Sequence, residues 1–229
     1  GMALTTFRLE FFYLQYLLPL LGAALMYLGY RSLRRENPWF RLCWGLSGLL
    51  LAIHIALDIL AATPVMGWIA GNPAVNWGLT WPIRGMDLLL LFALWRGSRA
   101  AFRTVGEAQP PKDWLREGFL CYLLALATAL WSELVPLTQD SFFGLDIIDQ
   151  YQWLYYGRAI LFIALEIRLL VCIAHQSDAL AGLGYDIAPV PVRVSARPFL
   201  LGVFALTLAA IPPALWLGGR IPTGPAEPA

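Results

Sequence analysis

His54 and Asp58 stand four residues apart inside a long apolar run, and Arg84 and Asp87 stand three apart inside another. Glu133, Arg158 and Glu166 interrupt apolar stretches further along the chain. Residues three or four apart share one helix face. Ionisable side chains inside apolar helices are rare, because each costs about 2.5–3.5 kcal/mol on insertion scales. Three kinds of chemistry fit. His54 oriented by Asp58 is an acid–base pair, catalytic only if the protein is an enzyme. The guanidiniums of Arg84 and Arg158 match a carboxylate or phosphate, while Asp58, Asp87 and Glu133 could hold a cation or carry protons. Glu166, placed deeper, suits proton transfer or a hydrogen bond to a neighbouring helix.

Other signals carry less. Ser47 lies in Gly45–Leu46–Ser47–Gly48, seven residues from His54. That is about 10 Å along one helix axis, too far for a nucleophile and its base. Close helix packing accounts better for these small residues. The two histidines, His54 and His175, fall at different depths and cannot share a haem. A metal set of His54, Asp58 and a carboxylate from another span ranks below ion pairing, so no metal is assigned. Arg84 and Asp87 after Trp81 resemble the third helix of microbial rhodopsins. The sole lysine, Lys112, lies in a connection, so no retinal Schiff base can form among the helices. Cys43, Cys121 and Cys172 lack the spacing of a zinc site or thiol-exchange motif. These residues identify no cofactor.

The elements that must position them follow from composition. Of 229 residues 59% are hydrophobic and only 14% charged, and the mean hydropathy is +0.63. An ordinary soluble domain is about a quarter charged. The formal charge of +1 excludes the basic footprint of a nucleic-acid partner. A helix of about 20 apolar residues spans the hydrocarbon core, and about six such runs are present: 11–30, 40–62, 77–95, 119–137, 153–173 and 198–217. The runs are continuous rather than alternating, which argues against a β-barrel. Residues 1–220 therefore read as a single all-α polytopic transmembrane bundle, and 221–229 as a disordered tail. The first run reads as a permanent span rather than a cleavable leader.

Arg31, Arg34, Arg35, Arg41, Arg96, Arg99, Arg103, Lys112, Arg116, Arg168, Arg193 and Arg197 fall in or beside the odd-numbered connections. The even-numbered connections hold no Lys or Arg, and the fourth carries Asp140, Asp146 and Asp149. The positive-inside rule then sets both termini on the extracytoplasmic side of a cell (inner) membrane. Trp39, Trp68, Trp77, Trp95, Trp114, Trp153 and Trp216 fall where spans meet the interfaces, as an aromatic belt would.

Counted at about 1.5 Å per residue, His54, Asp58, Arg84, Asp87, Glu133 and Arg158 share one layer in the outer half. Charges at one depth should face each other across the interior. The leading expectation is binding, or transport, of a small polar ligand or lipid headgroup in that layer. A membrane-embedded enzyme using His54 and Asp58 on a lipid-soluble substrate is the first alternative. A structural or sensory subunit, with the charges fixing helix register, is the second. The bilayer and a small-molecule or lipid ligand are the expected partners, and a carrier of this size would have to pair as a homo-oligomer.

Overall fold

The computed structural model describes residues 14–104, 112–139, 152–182, 195–218 and 220. Seven helices and no strand are found among them. They are α1 (Leu14–Leu33), α2 (Pro38–Ala61), α3 (Pro64–Gly71), α4 (Pro73–Thr104), α5 (Trp114–Gln139), α6 (Gln152–Gly182) and α7 (Ala196–Gly218). The tail 221–229 lies outside the described residues.

Three helix starts share one local design. Asn37–Pro38, Thr63–Pro64 and Asn72–Pro73 each place a polar residue before a proline that opens a helix. Proline suits the first helical position, where its missing N–H is not needed. Asn37 Oδ1 accepts from Phe40 N at 2.9 Å, capping α2. Asn72 Oδ1 accepts from Val75 N at 3.4 Å, at the start of α4. This punctuation inserts the short helix α3 into what the sequence presents as a plain connection. Pro82 lies inside a continuous α4.

Three described segments are long and apolar enough to cross a membrane: Pro38–Ala61, Ile160–Gly182 and Ala196–Gly218. Only 22%, 22% and 11% of their most apolar stretches are buried within the protein. Leu201, Leu206, Leu208 and Trp216 of α7 are each at least 60% exposed. Apolar surface on this scale needs a hydrocarbon solvent, and the chain has the make-up of an α-helical membrane protein.

The chain divides into two compact units, Gly1–Leu90 with Ile187–Ala229, and Leu91–Asp186. In the first, Leu20, Ala23 and Ala24 of α1 pack with Leu51 of α2 and Val203 of α7. Close approach is bought with small residues, as is usual between helices in lipid. A Cβ on Gly48 would lie 3.3 Å from the Tyr27 ring, and one on Gly218 would lie 3.0 Å from Thr63 Cβ. In the second unit α5 packs along α6, where a Cβ on Gly118 would meet Leu169 Cδ1 at 3.0 Å and Cys172 Cβ at 3.2 Å. Ser98 Oγ of α4 accepts from the buried Gln176 Nε2 of α6 at 2.8 Å.

Gly118→Val should therefore lower stability by about 1–3 kcal/mol through overpacking. Gly29→Ala, whose Cβ would meet nothing within 4 Å, should leave stability unchanged or slightly raised. Thermal unfolding of the detergent-purified variants checks both.

Candidate functional site

The candidate charges of the first unit come from two helices. α2 carries His54 and, one turn on, Asp58; both are partly buried. Asp58 Oδ2 is buried with no hydrogen-bond partner among the described residues. Burying a carboxylate oxygen is costly unless a hydrogen-bond donor reaches it. α4 carries Trp77, Trp81, Arg84 and Asp87 at spacings of four, three and three, so they line one face. The Trp77 and Trp81 rings lie 5.4 Å apart, and the Arg84 guanidinium sits over the Trp81 ring at 5.1 Å. The indole face attracts the cation, an interaction worth about 0.5–1 kcal/mol at exposed sites and about 2 kcal/mol when desolvated.

One contact sets the level at which α2 and α4 meet: Cys43 Sγ donates to Leu90 O at 3.8 Å. Along α4, Asp87 and Arg84 lie about 4.5 and 9 Å from this point; along α2, His54 and Asp58 lie about 16 and 22 Å from it. Glu166, in the second unit, is buried at 6% exposure. Glu133 and Arg158 fall on α5 and α6, but their side chains lie outside the described residues. Among the described residues no three His, Cys, Asp or Glu side chains gather into a metal-binding group.

The second unit holds a polar cluster around Asp113 and Glu117, two acids that the apolar pattern of the sequence does not single out, although Arg99, Lys112 and Arg168 mark orientation there. Asp113, just ahead of α5, accepts from Trp95 Nε1 at 3.0 Å and from Arg116 N at 3.3 Å. Arg99 Nε lies 3.6 Å from its Oδ2. Asp113 thus caps α5 and ties it to α4. Next to it, Arg168 of α6 donates from Nε to Glu117 Oε1 at 2.8 Å, and its Nη2 pairs with the same oxygen. Lys112 Nζ lies 3.4 Å from Glu117 Oε2 and 3.6 Å from the Trp114 ring centre. The Trp114 and His175 rings lie 4.7 Å apart. The signal was present in Asp113-x-x-x-Glu117, an acid before a helix and a second acid in its first turn. Glu117 precedes the apolar stretch of α5, and the hydrogen bonds and charge of Arg168, then Lys112, hold its carboxyl below the usual glutamate range. All three cysteines are free; Cys43 and Cys172 are buried.

No family model, curated protein or solved structure matches the chain. Its site must be read from its own residues.

Removing the Asp113 cap while leaving the Trp95 N–H without its acceptor should cost about 1–3 kcal/mol in Asp113→Ala, read by thermal unfolding. The Glu117 contribution carries a pH signature. Because its folded value lies below the unfolded value of about 4.3, the stabilisation is complete above that pH and fades as pH falls through the folded value. The stability gap between wild type and Glu117→Gln should therefore be largest near neutrality and shrink on acidification. Added salt should shrink it as well, since the pair is exposed.

Proposed function

We propose that the protein is a six-span membrane protein with both termini extracytoplasmic, and that it binds a small zwitterionic ligand or lipid headgroup between α2 and α4. The observation that carries this reading is the buried Asp58 Oδ2, which has no donor among the described residues. A carboxylate oxygen left this way inside an apolar helix is suited to receive a donor from outside the chain. Arg84, backed by Trp81, supplies the opposite charge in a geometry suited to phosphate or carboxylate.

Consecutive spans run antiparallel. With Cys43 beside Leu90, the order in depth is then Asp87, Arg84, His54, Asp58, spread over about 18 Å. The polar groups form a column rather than a ring. An extended Arg84 side chain reaches toward the level of His54, and a ligand's anionic group placed there points its cationic end toward Asp58. The column is sided, with the guanidinium inward of the Asp58 carboxylate. A zwitterion satisfies both ends, whereas a simple anion or a simple cation satisfies one.

Phosphoethanolamine is the discriminating probe, set against inorganic phosphate and ethanolamine. On purified protein the zwitterion should raise the melting temperature by several degrees at saturating concentration, and either half alone by less. Asp58→Asn and Arg84→Gln should each abolish that rise while keeping a folded baseline. Variants that melt far lower, with no ligand response in wild type, would instead make the charges a register-fixing network.

A further inference from the structure

An open cleft of about 480 Å³ lies among α1, α2 and α7, entirely within the first unit. Its floor is the small-residue face of α2, with Gly45, Gly48 and Ala52; Tyr27, Trp44 and Phe199 are its aromatic walls. Tyr27 and Phe199 stack at 5.4 Å and 20°, and Tyr27 lies 5.9 Å from Trp44. The cleft continues along α2 to Ile55 and along α7 to Val203. From Trp44 to Ile55 is about 16 Å of helix, close to one leaflet of a hydrocarbon core roughly 30 Å thick.

The mouth of the cleft is polar and net cationic, with five arginines against the single acid Glu36. Arg34 lies with its guanidinium 4.9 Å from the centre of the Trp44 ring. Arg31, Arg34, Arg35, Arg41 and Arg197 all belong to this end, where α1 finishes and α2 and α7 begin. Trp44 Nε1 is buried and has no acceptor among the described residues. Three features therefore coincide: an apolar slot of one-leaflet length, a net cationic mouth, and in the wall an indole donor with no acceptor among the described residues. A soluble anion would use only the mouth, and an apolar helix from another chain would use only the slot. A lipid with an anionic headgroup uses both.

We propose that this cleft is a binding site for one anionic phospholipid of the cytoplasmic leaflet, its acyl chain against Tyr27, Trp44 and Phe199 and its phosphate at Arg34. The site is separate from the Asp58–Arg84 column and does not depend on it. Binding fixes α7 against α1 and α2 through a shared lipid chain, in addition to their direct packing.

The test uses native mass spectrometry of the full chain in detergent, titrated with phosphatidylglycerol or phosphatidylcholine. Wild type should retain one phosphatidylglycerol in preference to phosphatidylcholine. Arg34→Gln should weaken retention about ten-fold, the scale of a lost charge-assisted contact. Gly45→Leu fills the floor at a position where a Cβ meets nothing within 4 Å, and should weaken both lipids. Arg116→Gln, an equal charge loss in the other unit, should leave retention unchanged. The proposal is overturned if both lipids bind alike, or if Arg116→Gln matches Arg34→Gln, which would mean diffuse attraction. It is equally overturned if Gly45→Leu leaves lipid retention intact, or if wild type appears as a dimer that Gly45→Leu dissolves, which would mean the cleft seats a second copy. Should Gly45→Leu fail to fold, Arg34→Gln against Arg116→Gln decides alone.

Discussion

Apolar side chains facing outward, on helices whose backbone bonds are closed within themselves, are the constraint from which the rest of this molecule follows. Leu201, Leu206 and Leu208 could not remain so exposed in water. Hydrocarbon around them removes the hydrophobic drive for one helix to bury against another, since lipid is as apolar as leucine. Cohesion must then come from close contact and from polar links. Glycine contacts at Gly48, Gly118 and Gly218 supply the first. Links such as Gln176 to Ser98 supply the second.

The polar side chains sort into two populations under this constraint. Those at the helix ends are dense, partly exposed and well matched: Asp113 with Trp95 and Arg99, Glu117 with Arg168 and Lys112. Exposed pairs contribute little and are screened by salt, so such a cluster is easily kept. Those inside the apolar segments are few. Asp58 sits where an ionisable group costs several times as much, with one oxygen lacking a donor among the described residues. Natural chains seldom keep such a cost for packing alone, and for this reason the proposed function is placed on α2 and α4.

Much of the fold was legible because the signals were additive. Apolar runs predicted helices at 11–30, 40–62 and 198–217, against Leu14–Leu33, Pro38–Ala61 and Ala196–Gly218 in the structure. The helices overran the apolar boundaries where polar residues kept good helix propensity: α4 continues past Trp95 to Thr104, and α6 past Ile173 to Gly182. Hydropathy marks where lipid ends, not where hydrogen bonding along the backbone ends. Helix α3 was hidden for a related reason, since its signal is the Thr63–Pro64 and Asn72–Pro73 punctuation rather than periodicity.

The sites were legible in part. That His54 and Asp58, or Arg84 and Asp87, share a face follows from spacing alone. Which levels of two helices meet does not, because the Cys43–Leu90 contact depends on tertiary packing. The aromatic cleft was invisible in sequence for the same reason: Tyr27, Trp44 and Phe199 are far apart in the chain and become neighbours only when α1, α2 and α7 assemble.

Spin labels on α7 test the membrane setting most directly. With the protein in lipid bilayers, labels replacing Leu201, Leu208 and Leu215 report access to oxygen, which partitions into hydrocarbon, and to a charged nickel complex, which stays in water. The label at Leu208, mid-helix, should show the highest oxygen and the lowest nickel access of the three. Nickel access at Leu208 equal to or above that at the flanking positions would contradict the account.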